Sequence, residues 1–223
     1  MMTMRFLAAA GLGLLAAPAN AQDDGQAWAQ VLVQGPIKDN VVFWAEGQAR
    51  LTDATRANQI IIRPAIGLRL NATTTAHVGY AYIRTDPVNG AAATEHRIWE
   101  QLTFPIVRNR RGLVVSARSR IEQRMFEGRQ DTGWRLRQFV RGQMPFLRGS
   151  ALSGVVIVEA FYAANSTDWG ARAGIDQVRT FVGISIPIKK QIVVEPGYLN
   201  QAIFRLGPDR VNHVASVTLI ARL

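Results

Sequence analysis

The chain is expected to fold as an all-β, antiparallel up-and-down transmembrane β-barrel of ten to twelve strands. Three observations point there. Strand-length segments alternate apolar with polar or charged residues along most of the sequence, an export leader precedes them, and no stretch approaches the roughly 20 consecutive apolar residues of a membrane-crossing helix. A bilayer role would therefore fall to strands.

The leader is read at residues 1–21. Arg5 supplies the positive end, Phe6 to Ala17 the apolar centre, and Ala19-Asn20-Ala21 a small-x-small cleavage site before Gln22. Residues 22–223 then form a single barrel domain. The chain has no cysteine, so an exported protein of this kind must draw its stability from a closed sheet, a core or a membrane rather than from disulfides. The net charge of +10 comes from 26 basic residues, of which only Lys38, Lys189 and Lys190 are lysines. Such a preference suits crowded or partly desolvated ion networks, where a planar multidentate guanidinium outperforms an ammonium. A basic chain also raises nucleic acid as a partner, but export and the alternation of Arg with apolar residues point away from it.

Strand segments follow in order. Gln26 to Gly35 is the first, Val41 to Leu51 the second, and Ala57 to Leu70 sets Ile60, Ile62, Ile66 and Leu68 opposite Gln59, Arg63, Gly67 and Arg69. Thr75 to Arg84 leads into a loop at 85–94 rich in Pro, Gly, Asn and Ala, which breaks regular structure. Between His96 and Met144 lie three segments of clear alternation: HRIWEQLTFP, LVVSARSRIEQRM and TGWRLRQFVRGQMP. Ala151 to Tyr162, Ile175 to Ile188, Gln191 to Phe204 and Val211 to Leu223 complete the set, and no convincing helix appears.

Tight connections at 36–40, 71–73, 107–111, 147–150 and 189–190 contrast with long ones at 85–94 and 163–174. This is the asymmetry of bacterial outer-membrane barrels, whose strand numbers are even. Eleven segments are countable, so parity asks for ten or twelve and puts Gln26 to Gly35 in question as a full strand. Val211 to Leu223 is amphipathic, as the barrel-assembly machinery requires of a terminal strand, though it ends in Leu223 rather than an aromatic. Trp28, Phe43, Trp44, Tyr80, Tyr82, Trp134, Phe146, Tyr162 and Phe204 are expected as interfacial girdles.

Arg118, Arg120, Glu122, Arg124, Arg135, Arg137 and Arg141 share the polar faces of two consecutive segments. If the intervening turn pairs residue 122 with 135, Glu122 opposes Arg135, Arg120 meets Arg137, and Arg141 lies near Ser116. One glutamate cannot neutralise six arginines. Two consequences compete: a positively biased lumen that admits or binds small anionic solutes, or a packed interior closed by ion pairs to Glu46, Glu95, Glu159 and Glu195. A second constellation is His96, Trp99 and Glu100, where alternation is imperfect. One register sends Glu100 outward beside Ile98 and Leu102, the other sends out Arg97, Trp99 and Gln101, and a bulge would reconcile them. No catalytic motif and no His or Asp cluster with metal-ligand spacing is present, so neither catalysis nor a cofactor is expected. Gly128 to Gly133 reads as a turn. Asp168-Trp169-Gly170 reads as a loop-packing or partner-contacting tip.

The ordered motifs EGQARL, IIRPAIGLRL, HVGYAYIRT, EHRIWEQLTF, RSRIEQR, DTGWRLR and EPGYLNQ resemble those of domain-of-unknown-function family 2490 of bacterial exported proteins. The resemblance spans nearly all of residues 22–223. It implies an outer-membrane β-barrel-like protein with no assigned activity, in contact with outer-membrane lipid. The alternatives are a closed structural barrel, a soluble periplasmic lipocalin-like binding barrel and an outer-membrane lipid hydrolase.

Overall fold

The computed structural model describes residues 22–52, 57–205 and 208–223. The expected leader lies outside them. The described residues form eleven strands and no helix: β1 (Gln22–Lys38), β2 (Val41–Thr52), β3 (Asn58–Arg69), β4 (Thr75–Asp86), β5 (Ala93–Arg108), β6 (Val114–Phe126), β7 (Gly133–Pro145), β8 (Ser153–Ala163), β9 (Gly174–Lys189), β10 (Ile192–Ile203) and β11 (Arg210–Arg222). Each pairs antiparallel with its sequence neighbour, and the sheet closes on itself through β1 and β11.

That closure corrects the expectation of an even strand number. With eleven up-and-down strands the first and last run in the same direction, so the closing pair must be parallel. It is parallel over a continuous register from Gln22 opposite Arg210 to Gln34 opposite Arg222. Gln26 to Gly35, which parity had questioned, belongs to the longest strand, β1, of 17 residues. The connections expected to be tight gather at one end of the barrel and those expected to be long at the other, but the lengths separate less cleanly than expected: β7–β8 (146–152) is longer than β4–β5 (87–92), and the loop at 164–173 is the one that stands out. At the short-turn end Asp39 takes a φ of 52° between β1 and β2, a left-handed turn conformation that Asp tolerates.

Proline marks most of the places where the ladder is irregular; the register shift at Phe161/Tyr162 involves none. Register shifts fall at Pro36/Lys38 and Pro105/Val107. Pairing with β4 skips Pro64, and pairing with β9 skips Pro196. Proline has no N–H to give to a neighbour, and a closed barrel has no edge on which to hide it, so the sheet yields locally.

Alternation along each strand separates two faces, and the barrel wears its apolar one outside. Ile60, Ile62, Ile66, Val78, Ile98, Leu136, Val156, Val158, Val182 and Val217 are all exposed. Glu46, Arg63, Glu95, Arg97, Arg120, Glu122, Arg135, Arg137, Glu159 and Glu195 are buried. A lipocalin-like barrel partitions its residues the other way round.

Among the buried aromatics are Trp28, Trp44 and Trp99. Trp28 and Trp44 therefore do not belong to an outer girdle: each shares strand parity with inward Gln26 and Glu46 and points inward with them. Exposed Tyr80, Trp134, Phe146, Tyr162 and Phe204 do lie on the outer surface. Trp99 lies flat against the wall at Gly79, its partner across the β4–β5 ladder. A Cβ on Gly79 would come within 2.4 Å of the indole, so only glycine admits the ring there.

Candidate functional site

The β6–β7 hairpin places the sequence candidates on one inward face. Arg120 is opposite Arg137, Glu122 opposite Arg135 and Ser116 opposite Arg141, as the turn position predicts. Two like charges opposite each other are unfavourable without counter-charge, and here the counter-charge comes from both sides. Glu122, with no solvent exposure at all, accepts from Arg135 Nη2 at 2.6 Å and from Arg137 Nη1 at 2.6 Å. Arg97 and Arg120 lie 3.5 and 3.6 Å from the same carboxylate. Arg137 uses its other nitrogens on Glu159 of β8, at 2.7 and 3.1 Å. A single planar guanidinium thus ties three strands together through two carboxylates, a geometry an ammonium cannot supply.

The remaining arginines find carboxylates on their own strand or on others. Glu95 accepts from Arg97 at 2.7 Å and from Arg124 at 2.5 Å. Arg118 reaches Glu159 at 3.3 Å, and Arg141 reaches Glu195 at 2.6 Å. Glu46 takes Arg63. Several guanidinium groups also stack on inward aromatics: Arg120 lies 4.2 Å from the Trp99 ring centre, Arg118 4.1 Å from Phe139, and Arg50 4.0 Å from Trp28. In a poorly hydrated interior such contacts hold a cation that has no full counter-charge.

Arg50, Arg63, Arg97 and Arg179 join this interior although their strands carry no local run of arginines. Their signal is inward parity: Arg50 with Glu46 and Gln48, Arg97 with Glu95 and Gln101. Two cavities of about 320 and 310 Å³ occupy the halves nearer the short turns and nearer the long loops. Trp28, Arg50, Arg63, Arg137 and Arg179 line both, so the cavities meet at this layer.

The second constellation divides. Trp99 and Arg97 face inward, whereas Glu100 faces outward between Val78 of β4 and Ile121 of β6. No bulge occurs there; the only register shift in the β5–β6 ladder is at Pro105/Val107. His96 is also on the outer face, its Nδ1 2.5 Å from the Tyr80 hydroxyl and its Nε2 3.2 Å from Glu127. Both ring nitrogens are thus engaged, and by neither Glu95 nor Glu100. Among the described residues no three His, Cys, Asp or Glu side chains gather as a metal site.

At the long-loop end, Asp168 accepts from the amides of Gln130 and Asp131, and its own amide donates to Asp131 at 2.7 Å. Trp169 donates its indole N–H to the Asp131 carbonyl at 3.0 Å and packs 4.6 Å from the Phe126 ring. The tip Asp168-Trp169-Gly170 is therefore a clamp between the β6–β7 and β8–β9 loops.

The family described as "Protein of unknown function (DUF2490)" matches residues 25–212, which takes in β2 to β10 whole and most of β1. The chain belongs to this family. An uncharacterized protein of Methylorubrum extorquens is 36% identical to this DUF2490 member over 220 residues, covering 96% of each chain. Among solved structures, the siderophore receptor PirA of Pseudomonas aeruginosa aligns with a TM-score of 0.35 and 12% identity. That alignment covers 75% of the DUF2490 chain, which spans about 33% of the receptor's length.

Proposed function

We propose that this DUF2490 barrel resides in the outer membrane, exported by its leader, and that its arginine-lined interior binds or passes small anionic solutes. The observation carrying this reading is the reversed partition of the wall: hydrocarbon outward, ion pairs and guanidinium groups inward. Water would not tolerate so continuous an apolar exterior, whereas lipid requires it. Positive bias in the interior follows from the cavity linings. Seven arginines but three glutamates surround the cavity nearer the short turns, and focused positive potential concentrates anions.

The layer shared by the two cavities favours a binding or gated barrel over a wide pore. Trp28 has a guanidinium within 5.1 Å from both Arg50 and Arg179, and Arg137 crosses the same level. The test is reconstitution into planar bilayers or proteoliposomes, with reversal potential under a salt gradient and uptake of radiolabelled anions as readouts. Anion-selective current or anion uptake that weakens in Arg50→Gln supports the reading. Cation selectivity contradicts it, and silence in both assays leaves a closed structural barrel.

A further inference from the structure

The cavity nearer the short turns has hydrogen-bond donors to spare, and its carboxylates are already used. The indole N–H of Trp44 and the Nε–H of Arg63, both on its wall, are buried without an acceptor. Its carboxylates are engaged: Glu46 by Arg63, Glu159 by Arg137 and Arg118, Glu195 by Arg141. Arg50 donates to the neutral amides of Gln48 and Gln59. Buried polar groups are rarely left unmade, so what Trp44 and Arg63 lack is an acceptor, and the excess of arginine over glutamate around the cavity asks for a negative one. Arg63 also lines the other cavity, where Asn212 Oδ1 is an acceptor without a donor, whereas Trp44 lies on the first.

Charge is half of the lining. Leu32, Phe139, Ile157, Phe181, Leu199 and Ile220 contribute hydrocarbon to the same wall. An inorganic anion would meet the donors and leave this surface wet; a hydrocarbon would cover it and leave the donors unmet. A volume of about 320 Å³ lies at the small end of ligand sites. We propose that this cavity binds a small amphipathic organic anion, a carboxylate on an aromatic or short alkyl body. The carboxylate is received on the side of Trp44, Arg63 and Arg118, and the body lies along Phe139 and Phe181. The assignment rests on the anion-binding reading of the interior and narrows it to a ligand class.

The test compares four probes on the refolded full-length barrel in detergent, by titration calorimetry and by fluorescence of the cavity tryptophans. They are phenylacetate, 2-phenylethanol, phenethylammonium and inorganic phosphate. Saturable phenylacetate binding at least about tenfold tighter than the other three is expected. Trp44→Phe keeps the ring and removes the donor. Arg118→Gln removes a cation while Glu159 keeps Arg137. Each is expected to weaken phenylacetate several-fold with an unchanged strand spectrum. Phosphate binding as tightly as phenylacetate overturns the ligand class and leaves the anion reading standing. Binding of neither anion overturns both. Equal binding of 2-phenylethanol, or unchanged affinity in both variants, overturns the site. If the variants do not fold, the ranking of the four probes still decides.

Discussion

Glu122 and Arg137 meet at 2.6 Å in the middle of the barrel, the carboxylate wholly buried. The pair is the junction of an ion network that spans β5 to β8, because Glu122 also holds Arg97 and Arg135 while Arg137 also holds Glu159. Desolvated charges of this kind are worth little net when matched and are costly when one partner goes. Glu122→Gln leaves four neighbouring guanidinium groups short of counter-charge. It is expected to destabilise the barrel by about 3–5 kcal/mol, read as a lowered urea midpoint in detergent or lipid. A loss under about 1 kcal/mol would show that water screens the site.

Gly79 and Trp99 give a second test. Gly79→Val drives a branched side chain into space the indole fills, and overpacking of this kind costs about 1–3 kcal/mol. Trp99→Leu in the same chain should restore part of the loss, which a double-mutant cycle measures as coupling. Strict additivity would mean that the ring does not depend on the glycine.

Glu100 stands on an apolar outer surface between Val78 and Ile121. If that surface lies in lipid, an ionised side chain is unfavourable there, less for Glu than for Arg or Lys. Glu100→Leu is expected to raise the unfolding midpoint in lipid bilayers. A lowered midpoint would show that the carboxylate makes a stabilising contact on that face.

At the long-loop end, Asp168→Ala removes the acceptor for two backbone amides. Limited proteolysis should then cut faster within residues 127–132 and 164–173, with the strands unaffected. Unchanged cleavage would mean that Trp169 alone holds the clamp.

Much of this architecture is visible in the sequence because period-two alternation is a local property. The segments, the two faces and the β6–β7 register all follow from residues within a hairpin of one another. Parallel closure does not, since it joins Gln22 and Arg210 across the whole chain. Nor does the placement of Trp28 and Trp44 follow from residue type, because an aromatic suits an interfacial girdle and a barrel interior equally well. Parity with Gln26 and Glu46 identifies them, and that requires reading tryptophan as part of a polar face. The ion network is legible only in part for a similar reason. The β6–β7 run announces itself by density, whereas Arg50, Arg63, Arg97 and Arg179 are single residues on separate strands that meet only when the sheet closes.

If the barrel stands in a membrane, its hydrocarbon outer face meets lipid while its charged face lines the interior. A chain without cysteine allows single labels to be placed without background. Ile62→Cys on the outer face and Ser116→Cys beside the inner cavity would each carry a fluorophore in proteoliposomes doped with brominated lipid. Strong quenching is expected at residue 62 and little at residue 116. Equal exposure of both labels to water, with the protein recovered without detergent, would contradict the membrane placement.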